Sequence, residues 1–260
     1  MSGTLTRKQR EIKEREAKIL ELARGMIVQD GYHGLSMDRI AEALEYSKGT
    51  IYQHFSCKEE ILMALVNQAM ERRLELFRRA AAFRGRSRER MSAIGAACDL
   101  FFRLYPDDVH IEHAIRITSI KEKASEQRRL CLERCEASCS ELVRGVIYDA
   151  VAAGDLELDD DFSVEQLTFG LWSITFGGHS IAASSPSLTN LGIPDPMTAI
   201  RNNCNRLLDG SGWKPLSHEL DLDTLIGRIQ REVFAPEVAQ LSQQGQAAAQ
   251  ETGAGRARRD

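Results

Sequence analysis

Two short apolar stripes with a three-residue break between them constrain this chain more than any other stretch of its 260 residues. From Ser36 to Ile61 it reads SMDRIAEALEYSKGTIYQHFSCKEEI. Met37, Ile40, Ala41 and Leu44 share one helical face, the pattern stops at Glu45, Tyr46 and Ser47, and Ile51 and Phe55 open a second face. This spacing predicts two short helices meeting at a steep angle, a helix-turn-helix. The outward positions of the second helix are Lys48, Gly49, Thr50, Tyr52, Gln53 and His54. Each either lacks a side chain or carries hydrogen-bonding groups, which suits a DNA major groove.

Local chemistry predicts the same boundaries. Ser36, Ser47 and Ser56 each precede a helical run, where a serine oxygen accepts from an amide of the first turn. Ser56 with Glu59 fits the reciprocal capping box. Gly31 is placed to close the preceding helix in a left-handed conformation, so the first helix is expected over residues 8–30.

Helix by helix, the segment resembles the DNA-binding domain of TetR-family (TetR/AcrR-like) transcriptional regulators. The resemblance is most specific from Leu35 to Leu62, where the Gly-Thr-Ile-Tyr-Gln-His-Phe run and Lys58 beyond it match the family's pattern. It implies an all-α chain: a three-helix helix-turn-helix DNA-binding domain over 1–62 and a larger helical ligand-binding and dimerisation domain over 63–235. The implied function is that of a homodimeric repressor, released from a palindromic double-stranded DNA operator by a small-molecule inducer. By the same resemblance Lys48, Thr50 and Gln53 approach base edges, while Gly49 keeps the helix start close to the DNA. Tyr52, His54 and Lys58 hold phosphates, with further contacts from Ser36 and Thr50 at the helix starts. One departure is Asp38, in the first turn of the first motif helix, where a carboxylate repels nearby phosphate.

Bulk charge cannot supply the affinity. The formal net charge is −4, and residues 1–60 hold ten basic and ten acidic side chains. Placement must do it instead: Arg7, Lys8, Arg10, Lys13, Arg15 and Lys18 oppose only Glu11, Glu14 and Glu16, an arm suited to lie along phosphates. The charged N-terminus lacks the apolar core of a signal peptide, so a cytoplasmic protein is expected. The most apolar stretch, Leu167 to Ala183, contains two adjacent glycines and a histidine and reads as a buried protein helix, not a membrane span.

Beyond residue 62 nearly everything reads as helix, with elements expected near 57–83, 88–104, 107–117, 119–153, 162–184, 195–209 and 221–234. Residues 236–260 have almost no large apolar side chains and are expected to be a disordered tail. In the helix near 162–184, Gly170, Ser173, Gly177 and Ser180 recur at three- and four-residue spacing beside Ile181, a small-residue face suited to a dimer contact. For the inducer, the candidates are Phe102, Tyr105, His113, Tyr148, Trp172, Phe176 and His179, aromatic and polar groups on helices that the resemblance places around the ligand cavity. Cys131, Cys135 and Cys139 recur every four residues, where buried core positions belong, and Cys57 lies beside Lys58. No phosphate loop, nucleophile elbow or metal-ligand spacing is present, so neither an enzyme, a cofactor nor a metal is expected. The competing readings are a helical enzyme and a helix-turn-helix module that contacts protein only.

Overall fold

The computed structural model describes residues 6–256 except 116, 117, 160 and 186, with side chains at all of these but 113, 118, 119 and 247–256. The described residues form helices joined by turns, and none is a strand. In chain order the helices are α1 (Arg7–Gly34), α2 (Met37–Ala43), α3 (Lys48–His54), α4 (Lys58–Ala81), α5 (Ser87–Leu104), α6 (Pro106–Ala114), α7 (Thr118–Lys123), α8 (Glu126–Ala152), α9 (Val164–Ser184), α10 (Pro196–Gly210), α11 (Leu222–Glu232) and α12 (Ala235–Arg256). No described helix is long and apolar enough to cross a membrane.

The turn of the helix-turn-helix is closed by backbone hydrogen bonds. At the end of α2 the Tyr46 amide returns to the Ala41 carbonyl at 2.9 Å, and the Glu45 amide to the Glu42 carbonyl at 3.1 Å. This double closure requires one residue in the left-handed region. Here it is Glu45, at φ 55°. The same closure ends α8 and α10, and there the left-handed residues are Gly154 and Gly212. Ser47 then starts α3, its Oγ accepting from the Thr50 amide at 3.1 Å.

Other helix starts depart from expectation. Ser36 precedes α2 but its side chain makes no capping bond. Helix α4 begins at Lys58, so Ser56 and Glu59 do not form a capping box; Glu59 Oε1 instead accepts from the Tyr32 hydroxyl at 2.8 Å and from Lys123 Nζ at 3.3 Å. Gly31 does break the regular path of α1, at φ 70° and ψ −179°, yet helical turns resume as far as Gly34.

Contacts divide the chain into two compact units, Met1–Arg72 with Pro106–Glu136, and Arg73–Tyr105 with Ala137–Asp260. Helices α4 and α8 contribute to both. The first unit therefore holds more than the 62-residue domain expected from the motif. Its apolar core draws Ile19, Ala23 and Ile27 from α1, Ile40 from α2, Ile51 from α3 and Ile61, Leu62 and Leu65 from α4. Buried carboxylates tie these helices to α6, α7 and α8. Asp108, 1% exposed, meets Arg24 of α1 and Arg72 of α4, the latter at 2.8 Å. Glu60 accepts from Arg128 Nε at 2.7 Å and from the Ser125 amide. That last bond explains why the helix expected over 119–153 is interrupted between Lys123 and Glu126: a distant carboxylate captures the Ser125 amide, with no glycine or proline to announce the break.

In the second unit, α9 and α10 approach each other closely. A Cβ at Gly170 would stand 2.9 Å from Leu207 Cδ2, and one at Gly178 2.5 Å from Ile200 Cγ1. Fully buried Arg88 joins α5 to the end of α10 through Asp209 Oδ1 at 2.7 Å and the Trp213 carbonyl at 3.2 Å. The chain after residue 235, expected to be disordered from 236, continues as α12, whose first turn is held by an Arg79–Glu237 ion pair. The alanine run further along supports it, since alanine is the best intrinsic helix former.

Two outcomes follow from these contacts. Replacing Glu45 with glycine removes a left-handed penalty of about 1–2 kcal/mol, against an entropic cost of about 0.5–1 kcal/mol. Urea denaturation should show a net gain of between about 0 and 1.5 kcal/mol, and a loss would show that the Glu45 side chain makes a compensating contact. Glu60 titrates below the ordinary glutamate value of 4.5: burial opposes its charge, but the Ser125 amide and Arg128 outweigh it. A carboxylate with a lowered folded pKa binds fewer protons than in the unfolded chain, so its contribution is present above about pH 4.5 and lost as pH falls through the folded value. Glu60→Gln should thus be less stable than the parent at pH 7, with the difference shrinking below pH 4.5; parallel stability curves would refute this.

Candidate nucleic-acid interface

The outward face of α3 is assembled from its amphipathic register. Ile51 is fully buried and anchors the helix, and Phe55 just beyond it is also buried, which leaves Lys48, Gly49, Tyr52 and Gln53 on the exposed side. Tyr52 is 51% exposed, a large aromatic group standing off the surface with a hydroxyl at its tip. Among the described residues nothing requires glycine at 49. An added Cβ would meet only Ser47 Oγ, at the ordinary contact distance of 3.7 Å.

Several of the expected contacts are engaged within the protein. Lys48 Nζ donates to Asp38 Oδ2 at 2.8 Å, an exposed pair linking the first turns of α2 and α3. The hydrogen bond to Asp38 raises the lysine's pKa above its ordinary value. Asp38 is thus less a lone repulsive charge than the resting partner of the lysine expected to read bases. The Thr50 hydroxyl lies 2.8 Å from Ser47 Oγ and completes the cap. Lys58 Nζ sits 4.3 Å above the Tyr32 ring, at the start of α4. His54 differs most from expectation: its side chain is only 8% exposed and turns toward α1, with Nδ1 3.6 Å from Glu16 Oε1. It lies at the last helical position, where the register swings from the outer face toward α1. Ser36 is half-exposed at the start of α2. Motif spacing carries no sign of the Lys48–Asp38 pair; only opposite charges in the first turns of both motif helices hint at it.

Known proteins share this motif. The model of bacterial regulatory proteins of the tetR family matches residues 19–65. Residues 19–65 thus carry a DNA-binding domain of the tetR type. The regulator UidR of Escherichia coli K12 is 37% identical over 70 residues, 27% of this chain and 36% of that protein. The activator FasR of Mycolicibacterium smegmatis is 33% identical over 95 residues, 36% of this chain and 42% of that protein. The chain thus spans well under half the length of these two curated relatives. A tetR-family regulatory protein from Rhodococcus RHA1 shares the fold, with a TM-score of 0.60 over 76% of this chain and 97% of that one at 19% identity.

The second unit gathers some of the expected ligand residues. Phe102 and His179 stack face to face, with centroids 3.6 Å apart and planes 7° from parallel. His179 is buried, and its Nδ1 lies 2.6 Å from the Thr175 carbonyl, which defines that nitrogen as the donor. Burial lowers its pKa and keeps the ring neutral. Tyr105 is half-buried, 5.6 Å from the Phe101 ring, and Phe176 is half-buried beside Trp172. Tyr148 and Trp172 are about half exposed and are not enclosed within this unit. The His113 side chain lies outside the described residues.

The expected dimer face divides in two. Gly170 is occupied within the chain by Leu207, because glycines eight residues apart at 170 and 178 let α10 close on that side of α9. Ser173 and Ile181 are exposed, and Gly177 has nothing within 4 Å of an added Cβ. The Ser180 hydroxyl returns to the Phe176 carbonyl at 2.7 Å. Cys135 and Cys139 are buried and Cys131 is half-buried, and burial pushes the Cys135 thiol up. Cys57 is half-buried, its Sγ 3.7 Å from the Lys123 carbonyl. Among the described residues no cluster of three or more metal-ligating side chains is present.

Replacing Asp38 with asparagine frees Lys48 and removes a negative charge near phosphate. DNA affinity at low salt should rise, and by no more than a few-fold, because an exposed ion pair contributes little. Fluorescence-anisotropy titration checks it, and a weaker complex would show that the pair organises the reading surface.

Proposed function

We propose that this chain is a ligand-responsive, DNA-binding transcriptional regulator, acting as a homodimeric repressor that a small molecule releases from a palindromic operator. The observation that carries the reading is the outer face of α3, where Lys48, Gly49, Tyr52 and Gln53 stand exposed beside a helix held in place by buried Ile51. A lysine donates to guanine acceptors and a glutamine pairs with adenine, so Lys48 and Gln53 read bases. Tyr52 and Lys58 hold phosphates and set register, with the Ser36 and Thr50 helix starts adding amide donors. His54 acts indirectly, by fixing the end of α3 against α1.

Dimerisation is supported by large apolar groups left on α9, namely Phe169, Trp172 and Ile181, beside the open face at Gly177. Exposed apolar patches of this kind mark interaction sites. Phe102, Phe176 and neutral His179 are the groups we assign to the inducer, with Tyr105 and His113 as further candidates; Tyr148 and Trp172 fit the subunit contact better. The inducer acts through its different affinity for dimers whose reading helices are correctly and wrongly spaced for successive major grooves. Repression is the direction proposed, although FasR, an activator by name, carries a similar domain. Such a reader works in the cytoplasm, where the DNA is, and the assignment includes no catalytic step.

Selection of bound sequences from random DNA by the purified chain should enrich one inverted repeat. Gln53→Ala should change the enriched sequence. Lys58→Ala should weaken binding about equally on all sequences and reduce the salt slope by about 1. A pool that never converges would overturn the function, leaving a protein-contact module or a helical enzyme.

A further inference from the structure

We propose that the small molecule taken by the second unit is an uncharged aromatic compound whose hydroxyl groups donate to Asp99 of α5 and His179 of α9. The inference rests on the ligand-responsive reading above and gives that ligand a chemical class.

Two acceptors on different helices lack donors. His179 is buried, and its Nδ1–H donates to the Thr175 carbonyl at 2.6 Å. Burial lowers the pKa of the ring, and Arg73 adds to this, against the opposing pull of the Thr175 carbonyl and Asp99. A neutral imidazole with its proton on Nδ1 carries a lone pair on Nε2. Among the described residues none donates to that nitrogen. The Asp99 carboxylate is divided in a similar way. Its Oδ2 accepts from Arg103 Nη1, one turn along α5, at 3.3 Å. Its Oδ1 is buried and has no hydrogen-bond partner among the described residues. A buried carboxylate oxygen without a donor is costly, and native proteins leave few of them.

The two groups are brought together by the stacked rings. Phe102 follows Asp99 by three residues, on the same face of α5, and its ring lies on His179 with centroids 3.6 Å apart. Asp99 is also close enough for its charge to act on the His179 ring. Tyr105 and Phe176, one turn from Phe102 and His179 on the same helices, are half-buried, neither sealed into the core nor given over to solvent. A wall of rings with a few placed polar atoms suits a flat apolar body.

Charge narrows the class. A carboxylate would set its oxygens against Asp99 Oδ1 and the Nε2 lone pair. An ammonium would meet the field of Arg73, whose guanidinium lies 4.3 Å from the Phe101 ring and 5.7 Å from the Phe102 ring. Hydroxyl donors satisfy both acceptors and add no charge, and on an aromatic body they are phenolic.

Equilibrium dialysis of the full chain at about pH 7 against 2-naphthol, 2-methoxynaphthalene and 2-naphthoate tests this, because the three share one ring system and differ in the donor. 2-Naphthol should bind about tenfold more tightly than its methyl ether, the scale of one hydrogen bond to a buried charged group. 2-Naphthoate should bind least. The ratio of naphthol to ether affinity should fall toward one in Asp99→Leu and fall less in Asp99→Asn, which keeps an acceptor oxygen. Each ratio compares two compounds on one variant, so a general loss of packing cancels. Equal affinities for naphthol and ether in the parent, or a preference for naphthoate, overturn the class and leave the site; a ratio unchanged in both variants removes Asp99 from it. A parent that binds none of the three overturns the ligand site and this inference with it, while selection from random DNA reports on the DNA-binding reading separately.

Discussion

Three buried carboxylates organise the unit that carries the motif. Asp108 lies between arginines from α1 and α4, and Glu59 and Glu60 take hydrogen bonds from Tyr32, Lys123, Ser125 and Arg128. A carboxylate removed from water is tolerated only with partners close by, and removing one partner leaves an uncompensated charge. Two of these acids sit in the first turn of α4 and the third on α6, while their partners come from α1, α4, α7, the following turn and α8. The helix-turn-helix is therefore built into a larger unit that includes residues 106–136. The start of α4, with Lys58 over the Tyr32 ring, is fixed by the same network that fixes α1.

Within that frame the proposed interface uses few groups. Lys48, Tyr52 and Gln53 stand on one face of a seven-residue helix, and the glycine beside them leaves space that no described part of the protein fills. Precision here comes from the burial of Ile51 and Phe55 and from the cap at Ser47, which decide which way those side chains point.

Much of this is legible in the sequence because the determinants are local. A serine before an apolar stripe, a break of three polar or aromatic residues and a return of the stripe are enough to place α2 and α3, since capping and amphipathic register act within one or two turns. What escapes such a reading is set at a distance. The break before α8 depends on Glu60, 65 residues away from Ser125. The inward turn of His54 depends on Glu16 in α1, and the occupation of Gly170 depends on Leu207 in α10. The length of α12 escapes for the opposite reason: its low apolar content argues against a packed helix, whereas alanine propensity and one ion pair at its start sustain it.

In the proposed function, the pairing of Lys48 with Asp38 turns DNA recognition into an exchange. A lysine waving in water gains from almost any acceptor it meets, including the ubiquitous phosphates, and so favours indiscriminate attachment. A lysine already bonded to a carboxylate gains only where the new acceptor outcompetes the old one. Sequences that present no such acceptor return Lys48 to Asp38 and leave the acid facing the duplex. On that reading the carboxylate would lower affinity everywhere and lower it least at the correct site, widening the gap between an operator and other sequences.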